Sequence, residues 1–282
     1  MKIEILLATY NGQEFLQEQL CSIAEQLHGD WVLTISDDGS TDRTMEIITC
    51  FKKRFRDKVR ILTNTSKLGA ANNFMNLLAH SKEELVVFCD QDDVWLPQKL
   101  TILSELYDQI EFTNSVESHP VVLYSDAKIV DSKLHELGPS LFKALKVVDL
   151  ECETFEYLKF RNCFTGCTMM LNRKAADLAL TEAKRMWVDE GLNVPMHDHW
   201  IGLVVAKHSG QIMRCEKSLI LYRQHENNTI GVNSSRFSVK IITKKLMNMV
   251  HKFRVMRYLD GNTTFINYIF RHIKISIKHK TL

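Results

Sequence analysis

The feature that most constrains this chain is the regular alternation in its first ninety residues. Short apolar runs at residues 3–8, 31–35, 59–62 and 85–89 read as buried strands. Between them lie stretches with helical spacing. Phe15, Leu16, Leu20, Ile23, Ala24 and Leu27 fall on one face of residues 14–27. Met45, Ile48 and Phe51 do the same in a helix that Asp42 caps and that runs to Phe55. Residues 72–79 supply a third helix. Strands alternating with helices of this length predict an α/β chain with a mostly parallel sheet sandwiched by helices.

The middle of the chain is less regular. Pro97 opens a helix through Ile110. Residues 121–124, 128–130, 168–171, 212–214 and 219–222 read as short strands, and 200–206 as a helix. Beyond Gly231 the pattern changes. Phe237, Ile241, Ile242, Leu246, Met249, Val250 and Phe253 recur at helical spacing among Lys240, Lys244, Lys245, Lys252 and Arg254. The division expected is a domain over 1–232 and a basic, helical C-terminal extension over 233–282.

Charge follows the same division. Of the 36 Lys and Arg and 34 Asp and Glu, residues 234–282 hold 11 bases and the single acid Asp260, a net +10. The remainder carries 25 bases and 33 acids. Two readings of the tail stand open: an apolar face packed on the domain, or a basic amphipathic helix on an anionic membrane surface. No aromatic-interleaved basic motif of a nucleic-acid module occurs, so nucleic acid is not an expected partner. No apolar run approaches the roughly 20 residues that span a bilayer, and residues 3–8 are too short for a signal-peptide core and contain Glu4. Seven cysteines without a C-x-x-C pair fit buried thiols in a reducing compartment rather than a disulfide frame or a zinc site. The expected location is cytoplasmic, with peripheral contact at the inner membrane face.

Open parallel sheets bind ligands beyond the carboxyl ends of their strands. Three polar clusters sit there: Thr9-Tyr10-Asn11-Gly12, then residues 36–42 from Ser36 to Asp42, then Asp90-Gln91-Asp92-Asp93. Crowded acids repel one another, and oxygen ligands suit Mg²⁺ or Mn²⁺ with substrate phosphates completing the shell. Asp90-Gln91-Asp92 has the D-x-D spacing for such an ion. The same acids also suit a plain turn or the cap of the following helix.

Three blocks in their order and spacing, Ala8-Thr9-Tyr10-Asn11, Asp37-Asp38-Gly39-Ser40-Thr41-Asp42 and Cys89-Asp90-Gln91-Asp92-Asp93-Val94-Trp95, resemble the inverting glycosyltransferases of family two, which have the GT-A fold. The likeness covers roughly residues 1–232. Gly166-Cys167-Thr168-Met169, His197-Asp198-His199-Trp200 and Tyr222-Arg223-Gln224-His225 look like the bacterial branch that builds surface polysaccharides, in which rhamnosyltransferases are prominent.

The resemblance implies roles for particular residues. Thr9, Tyr10 and Asn11 line the nucleoside pocket, Asp38 accepts from the base N3–H, and Asp90 holds the ribose or the metal's waters. Asp92 is the metal ligand, with His225 a further metal or diphosphate contact. Asp93, Gly166 and Trp200 lie against the sugar. Lys67 and Arg223 are phosphate partners or solvated surface charges. Asp198 matches the acid of the family's (E/D)-D-x-W-like motif and is the expected base. Placing His197 where Glu is commoner leaves that position's role open. Trp200 serves equally as a wall for the sugar or as a core residue. The implied donor is a dTDP- or UDP-sugar, rhamnose among the candidates, and the acceptor a glycan or lipid-linked glycan.

Other classes fit less well. A nucleotidyltransferase needs a Gly-rich basic loop after the first strand, and residues 9–13 hold one glycine and no Lys or Arg. A dinucleotide oxidoreductase needs G-x-G-x-x-G there, which is absent. The alternative kept open is a non-catalytic carbohydrate- or nucleotide-sugar-binding protein that retains the fold.

Overall fold

The computed structural model describes residues 1–114, 119–147, 150–225 and 239–278. In chain order the elements are β1 (Ile3–Thr9), α1 (Leu16–Ala24), β2 (Trp31–Asp37), α2 (Thr44–Arg54), β3 (Val59–Leu62), α3 (Ala70–His80), β4 (Leu85–Cys89), β5 (Val94–Trp95), α4 (Lys99–Asn114), β6 (Val121–Val130), α5 (Leu141–Leu145), α6 (Phe155–Leu158), β7 (Met169–Asn172), α7 (Arg173–Glu190), α8 (His197–Lys207), β8 (Gln211–Arg223), α9 (Val239–Leu259) and α10 (Phe265–Lys278).

The strands form one sheet in the order β3-β2-β1-β4-β7-β6-β8-β5. β3, β2, β1 and β4 are parallel neighbours, β7 runs against β4 and β6, and β5 runs against β8. The pleat sorts side chains to two cores. Leu6, Val86, Phe88, Val122, Tyr124, Met169 and Leu171 face the layer of α3, α7 and α8. Ile5, Leu7, Val87, Cys89, Leu123 and Met170 face that of α1, α2 and α4. Such two-sided burial is why these runs read as continuously apolar. Glu4 is the exception inside β1. Its fully buried carboxylate accepts from Thr34 Oγ1 at 2.6 Å and from the backbone N–H of Lys82 at 2.7 Å.

The sequence expectations differ from the structure in several places, among them β5, α5 and α6, where no element was expected. The two strands expected at 121–130 are one strand, β6, kinked by register shifts around Asp126. The two expected at 212–222 are the single strand β8. The helix α7 was not expected at all. Its buried face of Ala175, Ala176, Ala179 and Met186 is mostly alanine and is interrupted by the buried Glu182.

Before α9, the Phe237 of the expected apolar face lies outside the described residues. Further along α9, Val255, Met256 and Leu259, with Tyr268 of α10, join the same core as α3, α7 and α8. Lys159 Nζ meets Asp260 Oδ2 at 2.7 Å beside them. Among the described residues no helix is long and apolar enough to cross a membrane.

Met256 is fully buried in this core. Met256→Ala is expected to cost about 2–5 kcal/mol, the usual range for deleting a buried Met side chain. Urea denaturation measures it; a loss below about 0.5 kcal/mol, as for an exposed site, would mean that α9 is not docked.

Candidate active site

The carboxyl ends of β1, β2 and β4 are tied together by their own loops. Asp37 closes the turn after β2. Its Oδ1 accepts from Thr9 Oγ1 at 2.8 Å and Ser40 Oγ at 2.6 Å, and its Oδ2 accepts from Ser40 N at 2.8 Å. Asn11, in a left-handed backbone conformation with φ 47°, donates its N–H to Ser40 Oγ and accepts from Thr41 N. From the other side, the Gln91 amide accepts from Tyr10 N at 2.9 Å and donates to Tyr10 O at 3.0 Å. Gly12 makes room for that clamp, since a Cβ there would collide with Gln91 Oε1.

These loops border a cavity of about 680 Å³, within the range of small-molecule sites. Thr9, Tyr10, Asn11 and Asp38 line one part, with Lys67 Nζ lying 3.5 Å over the Tyr10 ring. Asp90, Asp92 and His225 line another, and Gly166, His197 and Asp198 a third. The carboxylate of Asp38 also holds the loop before α3, accepting from Leu68 N at 2.6 Å and Gly69 N at 2.8 Å. His225 reaches the site because β5 pairs with β8, which lays the end of β8 against the acidic loop. Its Nε2 is 2.9 Å from Asp92 Oδ2, and its ring packs 4.7 Å from Phe15.

Three expected residues lie elsewhere. Trp200 is fully buried and donates Nε1–H to Ala179 O at 2.9 Å, so it belongs to the core between α7 and α8 and forms no wall for a sugar. Asp93 lies behind the cavity lining, its Oδ1 taken by Arg223 N at 3.0 Å, so it does not face a substrate. Arg223 is no phosphate partner. Its guanidinium is 1% exposed, bonded to Asp92 O, Ser132 O and Glu18, and packed over Phe15.

Burial dominates the electrostatics. It pushes Asp90 up to about 7, with the nearby Asp92 and Asp198 charges adding to the shift. Burial likewise raises Asp198 to about 6, against the lowering effect of its bonds from His199 N at 2.6 Å and Asn162 Nδ2 at 3.2 Å. His197 is held at about 3 and His199 at about 4, both by burial, so both rings are neutral at physiological pH.

Among the described residues, Asp90, Asp93 and Cys167 form one group whose potential ligand atoms lie within 4.8 Å of one another. Burial holds the Cys167 thiol well above its usual pKa, which makes it a poor ligand. The oxygen donors Asp90 and Asp92 open to the cavity, and the repulsion from Asp92 that helps disfavour ionisation of Asp90 is what a divalent cation offsets. The donor set fits Mg²⁺ or Mn²⁺.

Sequence reasoning missed Gln91, which fastens the Tyr10 backbone, and Asn162, which holds the Asp198 carboxylate. It also missed Asn73, buried in α3, which donates to Ser36 O at 2.9 Å. An Asn inside the apolar face of a helix was the one legible signal among them.

Solved structures share this architecture. Staphylococcus aureus TarS residues 1–349 superpose with a TM-score of 0.62 at 17% identity, over 98% of this chain and 73% of that one. A mannosyltransferase from Pyrobaculum calidifontis, solved with GDP-Man and Mn²⁺, gives 0.55 at 14% identity over 90% and 63%. The fold is therefore that of the GT-A glycosyltransferases. Residues 4–178 match Glycosyl transferase family 2, and the chain belongs to that family. The dTDP-rhamnosyl transferase RfbG of Shigella flexneri is 29% identical over 81% of this chain and 75% of its own length. WfgD of Escherichia coli, a UDP-Glc:α-D-GlcNAc-diphosphoundecaprenol β-1,3-glucosyltransferase, is 24% identical over 61% of this chain and 60% of its own.

The raised pKa of Asp198 has a kinetic consequence. A base must be ionised, so a reaction that uses Asp198 as base is expected to lose about tenfold in kcat/KM per pH unit below about 6 and to be flat above it. Asp198→Asn is expected to lower kcat about 10²–10⁴-fold. A pH–rate profile without an acid limb, or near-normal turnover in the variant, would assign the base elsewhere.

Proposed function

We propose that the protein is an inverting, metal-dependent glycosyltransferase that moves a neutral sugar, rhamnose foremost, from a dTDP- or UDP-sugar to a glycan or lipid-linked glycan in surface polysaccharide synthesis. The observation that carries this is the convergence of Asp38, Asp92 and Asp198, from three separated parts of the chain, on one cavity. The similarity to RfbG supports the dTDP-rhamnose reading, and the UDP-GlcNAc bound by TarS supports a nucleotide diphosphate in the same fold.

In this reading the base stacks against Tyr10 and donates its N3–H to Asp38, beside Lys67. Asp90 and Asp92, with His225, hold the Mg²⁺ or Mn²⁺, which when bound neutralises charge on the departing diphosphate. The acceptor hydroxyl attacks the anomeric carbon from the face opposite the diphosphate. Asp198 takes the hydroxyl proton as the new C–O bond forms and the bond to the diphosphate oxygen breaks. Asn162 and the backbone N–H of His199 keep the carboxylate aimed.

The decisive measurement is donor turnover across a panel of sugar nucleotides with and without Mn²⁺ or Mg²⁺, alongside thermal shift with the bare diphosphates. Metal-dependent turnover of a dTDP- or UDP-sugar is expected. A diphosphate at 100 times its Kd should stabilise by about 2.7 kcal/mol. No shift with any nucleotide and no turnover would leave a non-catalytic protein of this fold.

The lipid-linked acceptor places the enzyme at a membrane surface through the basic segment 234–282. Met247, Val250, Ile266 and Phe270 are exposed on α9 and α10, with Lys252, Arg254 and Arg257 exposed nearby in sequence. Apolar side chains with flanking cations suit an anionic bilayer. Ile266→Glu with Phe270→Glu is expected to reduce sedimentation with anionic phospholipid vesicles at least tenfold while leaving turnover of a soluble acceptor unchanged. Equal vesicle binding by variant and parent would remove this contact.

A further inference from the structure

His197 is a buried polar side chain that the catalytic scheme above does not use. Its ring is 3% exposed, stacked on Phe74 at 4.1 Å and edge-on to Phe88 at 4.8 Å. Neither Nδ1 nor Nε2 has a hydrogen-bond partner within the protein. An unpaired buried polar group is destabilising, so the two ring nitrogens call for a partner from outside. The ring also borders the cavity, immediately before Asp198 in sequence and against Gly166, where a Cβ would collide with Nε2. Glycine at 166 therefore does two things: it admits the imidazole, and it leaves the cavity wall thin beside it.

We propose that His197 is the sugar-positioning residue of this site, one ring nitrogen pairing with a hydroxyl of the transferred hexose while Phe74 and Met196 take its apolar edge. The inference rests on the glycosyltransferase reading and adds the recognition of the sugar itself. A neutral imidazole offers one donor and one acceptor, which matches a hydroxyl. Among the described lining residues the only Lys or Arg is Lys67, and it lies over Tyr10 at the other part of the cavity. With the Asp198 carboxylate next to the sugar, an anionic hexose such as a uronic acid is disfavoured. The partner is a neutral hexose, and the apolar lining atoms of Phe74 and Met196 favour one with a deoxy carbon.

The test uses the full chain, the donor that it turns over, and monodeoxy analogues of that donor. His197→Leu removes the hydrogen bond without exceeding the ring's length; His197→Gln restores an amide donor and acceptor near the same place. In the parent, one analogue should lose about 5–100-fold in kcat/KM, the effect of stranding a buried partner. In His197→Leu that particular penalty should vanish, donor kcat/KM should fall by a similar factor, and the Kd of the bare nucleoside diphosphate should stay within twofold. His197→Gln should recover part of the discrimination. If His197→Leu binds the diphosphate normally yet keeps the analogue's penalty, or turns over the donor as the parent does, the proposal fails. Should His197→Leu be unfolded, loss of analogue discrimination in a folded His197→Gln with its kcat/KM for the donor unchanged would also overturn it. Absence of any donor turnover by the parent would instead defeat the glycosyltransferase reading.

Discussion

The site depends on one buried guanidinium. Arg223 ends β8, and its donors reach the carbonyls of Asp92 and Ser132 and the Glu18 carboxylate, while its own N–H is given to Asp93 Oδ1. Four segments remote in sequence thus meet at one planar group that cannot lose its charge. Removing one partner of a buried, hydrogen-bonded charge typically costs about 3–5 kcal/mol because the remaining group is stranded. The arrangement fixes where Asp92 points and delivers His225, two residues further on, to the cavity. Arg223 therefore acts behind the site, holding the cavity-facing Asp92 in place without itself lining the cavity.

Around that anchor the protein tolerates an unusual concentration of buried acid. Asp90 lines the cavity, while Asp93 and the fully buried Lys99 lie behind it; Lys99 donates to Cys167 O at 2.7 Å and rests 3.4 Å over the Trp95 ring. Burial lowers the lysine to about 8 and raises both acids. A single partly compensating cation below and an open face above leave the pair of cavity-facing carboxylates, Asp90 and Asp92, short of positive charge. That shortage is the electrostatic reason a divalent ion and its diphosphate suit the place.

Much of this was legible in the sequence because two periodicities carry it. The first four strands are buried on both faces, so they appear as uninterrupted apolar runs, and the polar clusters that follow each run fall at the sheet edge where ligands bind. What stayed hidden depended on packing rather than pattern. α7 buries alanines, whose weak hydropathy gives no clear stripe. Trp200 has the same neighbours in sequence whether it faces a sugar or the core; only the Nε1–H bond to Ala179 O decides. Gln91 reads as the indifferent middle of a D-x-D, yet its amide fits the Tyr10 peptide on both sides. Arg223 looks like a phosphate ligand until its burial is seen.

The late contribution of α9 and α10 to the core bears on how the chain is made. Phe74, Phe88 and Trp200 belong to the layer that Val255, Met256, Leu259 and Tyr268 complete. Translation delivers those four side chains after the rest of the layer, so a nascent chain carries a finished cavity-facing sheet edge beside a layer still exposed to water. Until residue 268 has left the ribosome, that greasy surface is a target for chaperones and a risk for aggregation.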